Sequence, residues 1–283
     1  MQLTGAGLGL RREMLDEALP VLPQEVDFWE VAPENWIPMG GRFSKQLRAC
    51  TEQAQFTTHG LSLSIGSCDP LDTDLLKQIK QFIQQHDIEL YSEHLSYCSA
   101  DGHMYDLLPI PFTTQSVKHV TDRIHQVQDI LKRPLVLENT SYYLAPDQQM
   151  SEIEFTNAIL KQSGCKLLLD VNNLYVNSIN HAYDPYLFLA ELPKDAVVYG
   201  HIAGHYDEAI DLKVDTHGTD VIEPVWQLLA TAYRIHGVFP TLLERDFNIP
   251  PLAELLKEVA RIKQIQLTVN NEKTSGVRHG QLV

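Results

Sequence analysis

Short apolar runs alternate with longer segments whose apolar residues recur at helical spacing, and the alternation repeats along almost the whole chain. The runs predict strands over residues 5–10, 27–31, 56–60, 88–93, 134–138, 166–171, 197–202 and 240–245. Leu135-Val136-Leu137 and Leu167-Leu168-Leu169 are apolar without interruption, as expected of parallel strands covered on both faces. Between the strands, Leu75, Leu76, Ile79, Phe82 and Ile83 share one helical face, and Val117, Val120, Ile124, Val127 and Leu131 share another. Ser151 with Glu154 forms a capping box, and Gly164 ends the helix that follows. Asp184-Pro185 and Glu223-Pro224 read as helix entries with proline in the first turn, and Gly237 as a stop.

Eight strands with intervening helices predict an α/β fold built as a single (β/α)8 TIM barrel. A doubly wound open sheet is the competing topology, because periodicity carries no information about closure. The 283 residues suit one such barrel. The expected division is therefore a barrel domain over residues 1–266 and a loosely held polar tail over residues 267–283. The segment from Ser99 to Thr113 is long for a strand-to-helix connection and is a candidate lid. Gly5, Gly7 and Gly9 lack dinucleotide-binding spacing, so tight packing of the first strand explains them better.

A formal charge of -15 removes nucleic acid from the expected partners, since no surplus of Lys and Arg exists to displace counterions. No run of about 18 apolar residues spans a bilayer. Four scattered cysteines without paired spacing, and a start with neither basic nor long apolar character, predict a reduced cytoplasmic protein.

Chemistry enters at the strand ends. The second run ends in Glu30, the third in His59, the fourth in Glu93-His94 and the fifth in Glu138. The sixth ends in Asp170, the seventh in His201 and the eighth in Glu244. In a parallel barrel these ends converge on one face, where barrel active sites sit. Buried ionisable groups cost several kcal/mol unless paired or metal-bound, and Arg11 and Arg245 are the only obvious cations near this ring. Imidazole plus carboxylate is a ligand set for Zn, Mn, Fe or Co. Loop residues Asn172, Asn173, His181, Asp215 and His217 extend the candidate set. Taken singly, a strand-end His is more often a hydrogen-bonded core residue, and a strand-end acid a helix cap or Arg partner. The ring as a whole resists that reading.

The ordered motifs resemble a known family over nearly the whole chain. They run from Gly7-Leu8-Gly9-Leu10-Arg11, Glu34-Asn35-Trp36, Thr58-His59-Gly60 and Ser92-Glu93-His94-Leu95 through Leu108-Pro109-Ile110-Pro111-Phe112-Thr113. Leu137-Glu138-Asn139-Thr140-Ser141, Leu168-Leu169-Asp170-Val171-Asn172-Asn173, Gly200-His201-Ile202-Ala203-Gly204-His205, Asp215-Thr216-His217-Gly218 and Leu243-Glu244-Arg245-Asp246 follow. The family is the multinuclear non-heme iron-dependent oxidative enzymes, similar to the methanobactin-biosynthesis oxidases and long catalogued as an uncharacterised conserved family. It lies within the xylose-isomerase-like barrel class. The resemblance implies two or three irons, of which one pair works in mixed Fe(II)/Fe(III) valence, and O2 as co-substrate. It implies a Cys-containing precursor peptide as substrate, in natural product biosynthesis, and a peptide-delivering partner protein encoded nearby. Carried over by position, one iron takes His59, His94 and a bridging Glu138. A second shares Glu138 and takes Asp170, His201 and Glu244. A third takes Asn173, His181, Asp215 and His217. His94, Glu138, Asp170 and His201 are the catalytic positions so implied. The competing class is a redox-neutral barrel enzyme, a sugar isomerase or a phosphoester hydrolase using Zn, Mn or Mg.

Overall fold

The computed structural model describes residues 3–279. Eight parallel strands close into a barrel: β1 (Ala6–Gly9), β2 (Phe28–Val31), β3 (Gln55–His59), β4 (Tyr91–His94), β7 (Val136–Glu138), β8 (Lys166–Asp170), β9 (Val197–Ile202) and β12 (Thr241–Leu243). Two antiparallel hairpins sit outside the ring, β5 (Tyr97–Ser99) with β6 (His103–Leu108), and β10 (Tyr206–Ala209) with β11 (Leu212–Val214). The helices are α1 (Leu15–Ala18), α2 (Gly41–Thr51), α3 (Thr73–Gln85), α4 (Thr114–Leu131) and α5 (Glu152–Ser163). They continue as α6 (Val171–Asn180), α7 (Pro185–Glu191), α8 (Glu223–His236) and α9 (Leu252–His279). The barrel, rather than the open sheet, is the fold: β1 pairs with both β2 and β12, so neither end of the strand order is an edge.

The local signals act as their chemistry requires. Ser151 and Glu154 form both halves of the capping box of α5, and Gly164 ends that helix with φ 68°. Asp184 caps α7 by accepting from the amides of Tyr186 and Leu187. Gly7 is needed for packing: a Cβ there would lie 2.4 Å from the Phe28 ring, which fills the barrel floor with Val136, Leu168, Tyr199 and Leu242.

Three differences from the sequence reading have physical causes. The segment from Ser99 to Thr113 holds β6, so it is a hairpin and not an irregular loop. The β10–β11 hairpin has strands of four and three residues, mostly exposed, and too short to leave a periodic trace. Finally, the expected tail boundary falls inside a helix, because α9 runs on to His279. Gln266 donates to the carbonyls of Gly5 and Phe239 and to the Tyr233 hydroxyl, and Val269 is buried one turn later. Polar composition concealed this, since α9 turns only a narrow apolar stripe to the barrel. Residues 280–283 of that tail lie outside the described residues.

Register delivers the strand ends together. His94 is the direct neighbour of Glu138, Asp170 of His201, and His59 of Ser92. A one-residue slip would send each to the opposite face.

Burial of Val269 makes the helix extension structural. Deleting residues 267–283 should destabilise the protein by about 1.5–3 kcal/mol, the cost of exposing one such side chain. That is a melting-temperature loss of at least about 3 °C; an unchanged melting curve would show that the extension contributes nothing.

Candidate metal centre

The inner group begins with a hydrogen bond that assigns a tautomer. The Ser92 hydroxyl donates to the Thr58 carbonyl at 3.1 Å, so it accepts from His59 Nδ1, 2.8 Å away. In the neutral imidazole the proton is thereby held on Nδ1, and the Nε2 lone pair is the one left for a metal. That Nε2 lies 3.0 Å from His94 Nε2 and 3.0 Å from Glu138 Oε2, and His94 Nε2 lies 3.4 Å from the same oxygen. Three electron-rich atoms therefore face one small volume.

Glu138 links this group to a second. Glu138, Asp170, His201 and Glu244 each offer a ligand atom within 4.8 Å of the others, and all four are buried. His201 Nδ1 lies 2.9 Å from Glu244 Oε2 and 3.6 Å from Glu138 Oε1. Its other nitrogen meets the Tyr199 hydroxyl at 2.6 Å and Glu30 at 3.3 Å, which fixes the ring. Asp170 caps α6, so its Oδ1 accepts from the Asn173 amide while Oδ2 stays unpartnered. Asn139 locks the Asp170 backbone from both sides, accepting from its amide and donating to its carbonyl.

A third group gathers on His217, whose Nδ1 lies 3.3 Å from Glu244 Oε2 and 3.2 Å from Asp246 Oδ2. Its Nε2 lies 2.7 Å from Asp215 Oδ1, so His217 stands among three acids. Asn173 presents an unpartnered buried Oδ1 while its Nδ2 donates to Glu138 and to the Asn139 carbonyl. Asn172 is committed elsewhere, to Asp215 and His205.

His181 does not join them. It ends α6, its ring stacks on Tyr142 at 4.0 Å, and its Nε2 meets the Tyr142 carbonyl at 2.8 Å. It belongs to no converging group among the described residues. Asp246 stands in the outer group instead, and Glu30 and Tyr199 support the inner ones. Glu30 was legible as a strand end and Asp246 as part of a motif; Tyr199, two residues from His201 on the same strand face, carried no signal of its own. Of the two strand-end cations, Arg245 turns out to Glu258 and Asp220, whereas Arg11 stays at the mouth and pairs with Asp246.

The residues fit a metal cluster. Glu138 Oε2, Asp170 Oδ2, Asn173 Oδ1, His201 Nδ1, His217 Nε2 and Glu244 Oε2 are buried and lack a well-formed hydrogen bond, although neighbours lie within 4 Å. Atoms so placed aim at shared points between them rather than at one another. In the metal-free protein, protons take that role. Burial lowers His59 but Glu138 outweighs it and raises the imidazole to about 9. Burial, then Glu138, pushes Asp170 up to about 8. Burial opposes ionisation of Glu138 and Glu244, yet the neighbouring imidazoles hold both below the usual carboxylate range. The groups open into a cavity of about 210 Å³, walled by Leu61, Tyr143 and Phe247 and by Asp106 and Leu107 of the β5–β6 hairpin.

Metal uptake must displace these protons. Apparent affinity for a divalent cation should therefore rise with pH up to about 9, by roughly tenfold per unit for each proton released. Competition titrations at several pH values test this, and a flat profile would contradict the geometry. Glu138→Ala should weaken binding by more than about 100-fold, beyond the 10–100-fold typical of supporting residues, because both inner groups lose a ligand. Asp246→Ala should leave the inner groups loaded, as metal content per chain would report.

Comparison with known proteins follows the same line. A family model described as RiPP precursor modification enzyme MbnB/TglH/ChrH matches residues 5–267. A UPF0276 protein of Shewanella loihica is 63% identical over 260 residues, covering 92% of this chain and 94% of that protein. The UPF0276 protein PA3283 of Pseudomonas aeruginosa is 52% identical, covering 93% of each. Among solved structures, D-psicose 3-epimerase from Clostridium cellulolyticum superposes with a TM-score of 0.61 at 10% identity, covering 96% of this chain and 99% of that one. A putative xylose isomerase from Rhodospirillum rubrum gives 0.60 at 13% identity, covering 92% and 99%. At such identities the likeness speaks to the barrel alone. The match across the chain and the close relatives speak to descent: the chain belongs to the RiPP precursor modification enzyme family MbnB/TglH/ChrH.

Proposed function

We propose that the protein is a multinuclear non-heme iron enzyme that uses O2 to oxidise cysteine residues of a ribosomally synthesised peptide. The observation that carries this reading is Glu138, whose two oxygens face two separate ligand groups, His59 with His94 and His201 with Asp170 and Glu244. A carboxylate so placed suits a bridge between two ions. Mixed imidazole and carboxylate donors favour a first-row transition metal over magnesium or calcium. Iron is the metal the family resemblance implies.

A bound iron pair would supply one-electron redox chemistry and a site for O2. The protein's own contributions follow from its contacts. Ser92 holds the proton of His59 on Nδ1, and Glu30 and Tyr199 hold the far side of His201, so both rings keep fixed faces toward the centre. Leu61, Leu107 and Phe247 add apolar surface to the lining of the mouth, where a substrate side chain would pack. Four free cysteines accord with a cytoplasmic enzyme, and among the described residues no helix is long and apolar enough to cross a membrane. A partner protein that delivers the peptide completes the proposal. No Lys lines the mouth among the described residues, so the carbonyl-polarising lysine expected of a sugar isomerase has no counterpart.

Protein purified without air should contain two or more irons per chain by elemental analysis; a preparation that holds zinc alone and works with it would sink the oxidase. Co-expressed with a Cys-bearing peptide encoded beside its gene, the enzyme should change the peptide's mass only when O2 is present. Glu138→Ala and His94→Ala should abolish that change while leaving the circular dichroism of the barrel intact.

A further inference from the structure

Behind His94 lies a pair of acids that the ligand groups do not use. Glu93 precedes His94 on β4 and is 2% exposed. Alternation along a strand puts Tyr91 and Glu93 on one face and His94 on the other. Glu93 Oε1 accepts from the Tyr91 hydroxyl at 2.9 Å and from the Leu63 amide at 3.1 Å. Its Oε2 accepts from the His94 amide at 3.2 Å and curls to within 3.7 Å of His94 Nδ1, a buried nitrogen with no hydrogen bond. Glu34 accepts from the amides of Leu61 and Ser62. Two carboxylates thus grip three consecutive amides just beyond the ligand His59.

Room for this arrangement comes from Gly60. A Cβ there would stand 2.3 Å from Glu93 Oε1 and 2.5 Å from the Tyr91 hydroxyl oxygen. The Tyr91 hydroxyl and the Leu63 amide need only one acceptor oxygen, which an uncharged carboxamide would provide at lower desolvation cost; the second carboxylate oxygen faces the amide and the imidazole of His94. What asks for a buried negative charge is the imidazole beside it. A ligating histidine commonly has its second nitrogen held by a carboxylate, which fixes the ring and strengthens the donor.

We propose that Glu93 is a positioning residue for the metal centre: its carboxylate holds the Nδ1 side of His94 and so aims Nε2 at the volume shared with His59 and Glu138. Glu34 and Gly60 keep the surrounding segment in place. The role rests on His94 as a ligand, and on nothing about iron, O2 or peptide.

The test uses the full-length protein with Zn2+ alone, by competition against a chelating dye, and with Co2+, whose visible absorption reports ligand geometry. Glu93→Gln keeps the acceptors for Leu63 and Tyr91 but removes the charge. It should lower Zn2+ affinity by about 10–100-fold and alter the Co2+ spectrum, with the metal-free protein melting no lower than wild type. Glu34→Gln, which does not touch His94, should stay within about threefold of wild type by the same reasoning. Wild-type affinity in Glu93→Gln, or an equal loss in Glu34→Gln, would overturn the role, the latter by showing a general effect of negative charge. Should Glu93→Gln not fold, Glu93→Asp retains the charge but withdraws it, and wild-type affinity there would overturn the proposal equally. Absence of Zn2+ and Co2+ binding by the wild-type protein would overturn the ligand assignment itself, before any variant is compared.

Discussion

Crowding of buried lone pairs at one end of the barrel is the condition from which the rest of this molecule follows. Glu138, Asp170 and Glu244 are buried together with His59 and His201 at one end of the barrel. Water would solvate each of them at little cost; the barrel mouth does not. A protein can tolerate such a cluster if protons or cations sit between the groups, and either solution draws acids and imidazoles inward. The carboxylates behave in opposite ways: burial, then Glu138, pushes Asp170 up to about 8, while the neighbouring imidazoles hold Glu138 low despite its burial.

Holding that cluster open requires a scaffold that does not collapse onto it. Parallel register supplies the first constraint, since His94 beside Glu138 and Asp170 beside His201 are fixed by the backbone ladder and not by side-chain choice. Uncharged hydrogen bonds supply the second. Ser92 links the Thr58 carbonyl to His59 Nδ1, Asn139 holds the backbone amide and carbonyl of Asp170, and the Tyr199 hydroxyl meets His201 Nε2, so these contacts leave the inward nitrogens and oxygens of the ligand residues free. The immediate passage from β8 into α6 adds a third: Asp170 spends one oxygen as a helix cap and leaves the other free.

Barrels of this shape carry sugar epimerases as well as this family, and the shared architecture explains why strand ends meet without deciding what they do. Distinction comes from the rim. The two hairpins, β5–β6 and β10–β11, are inserted where strands hand over to helices, and the first brings Asp106 and Leu107 to the cavity. Arg11 is the single Arg or Lys among the described residues lining that cavity, and it is engaged by Asp246. An acidic, partly apolar mouth is the consequence.

The chain's pattern of apolar runs and caps was enough to determine eight strands, the helices α3, α4, α5, α7 and α8, and the acids and imidazoles at the strand ends, because burial on both faces and helix termination are local demands written residue by residue. The ordered strand-end motifs were enough to identify the family for the same reason. Closure of the sheet was not local, since it depends on β1 meeting β12 across most of the chain. Nor was the fate of His181, which only the stacking of Tyr142 against the end of α6 decides. Asp246, Glu30 and Tyr199 gain their roles the same way, and α9 holds Val269 in the core although its sequence reads as a tail. Distances between side chains that are far apart in sequence are properties of packing, and packing exists only once the barrel has closed.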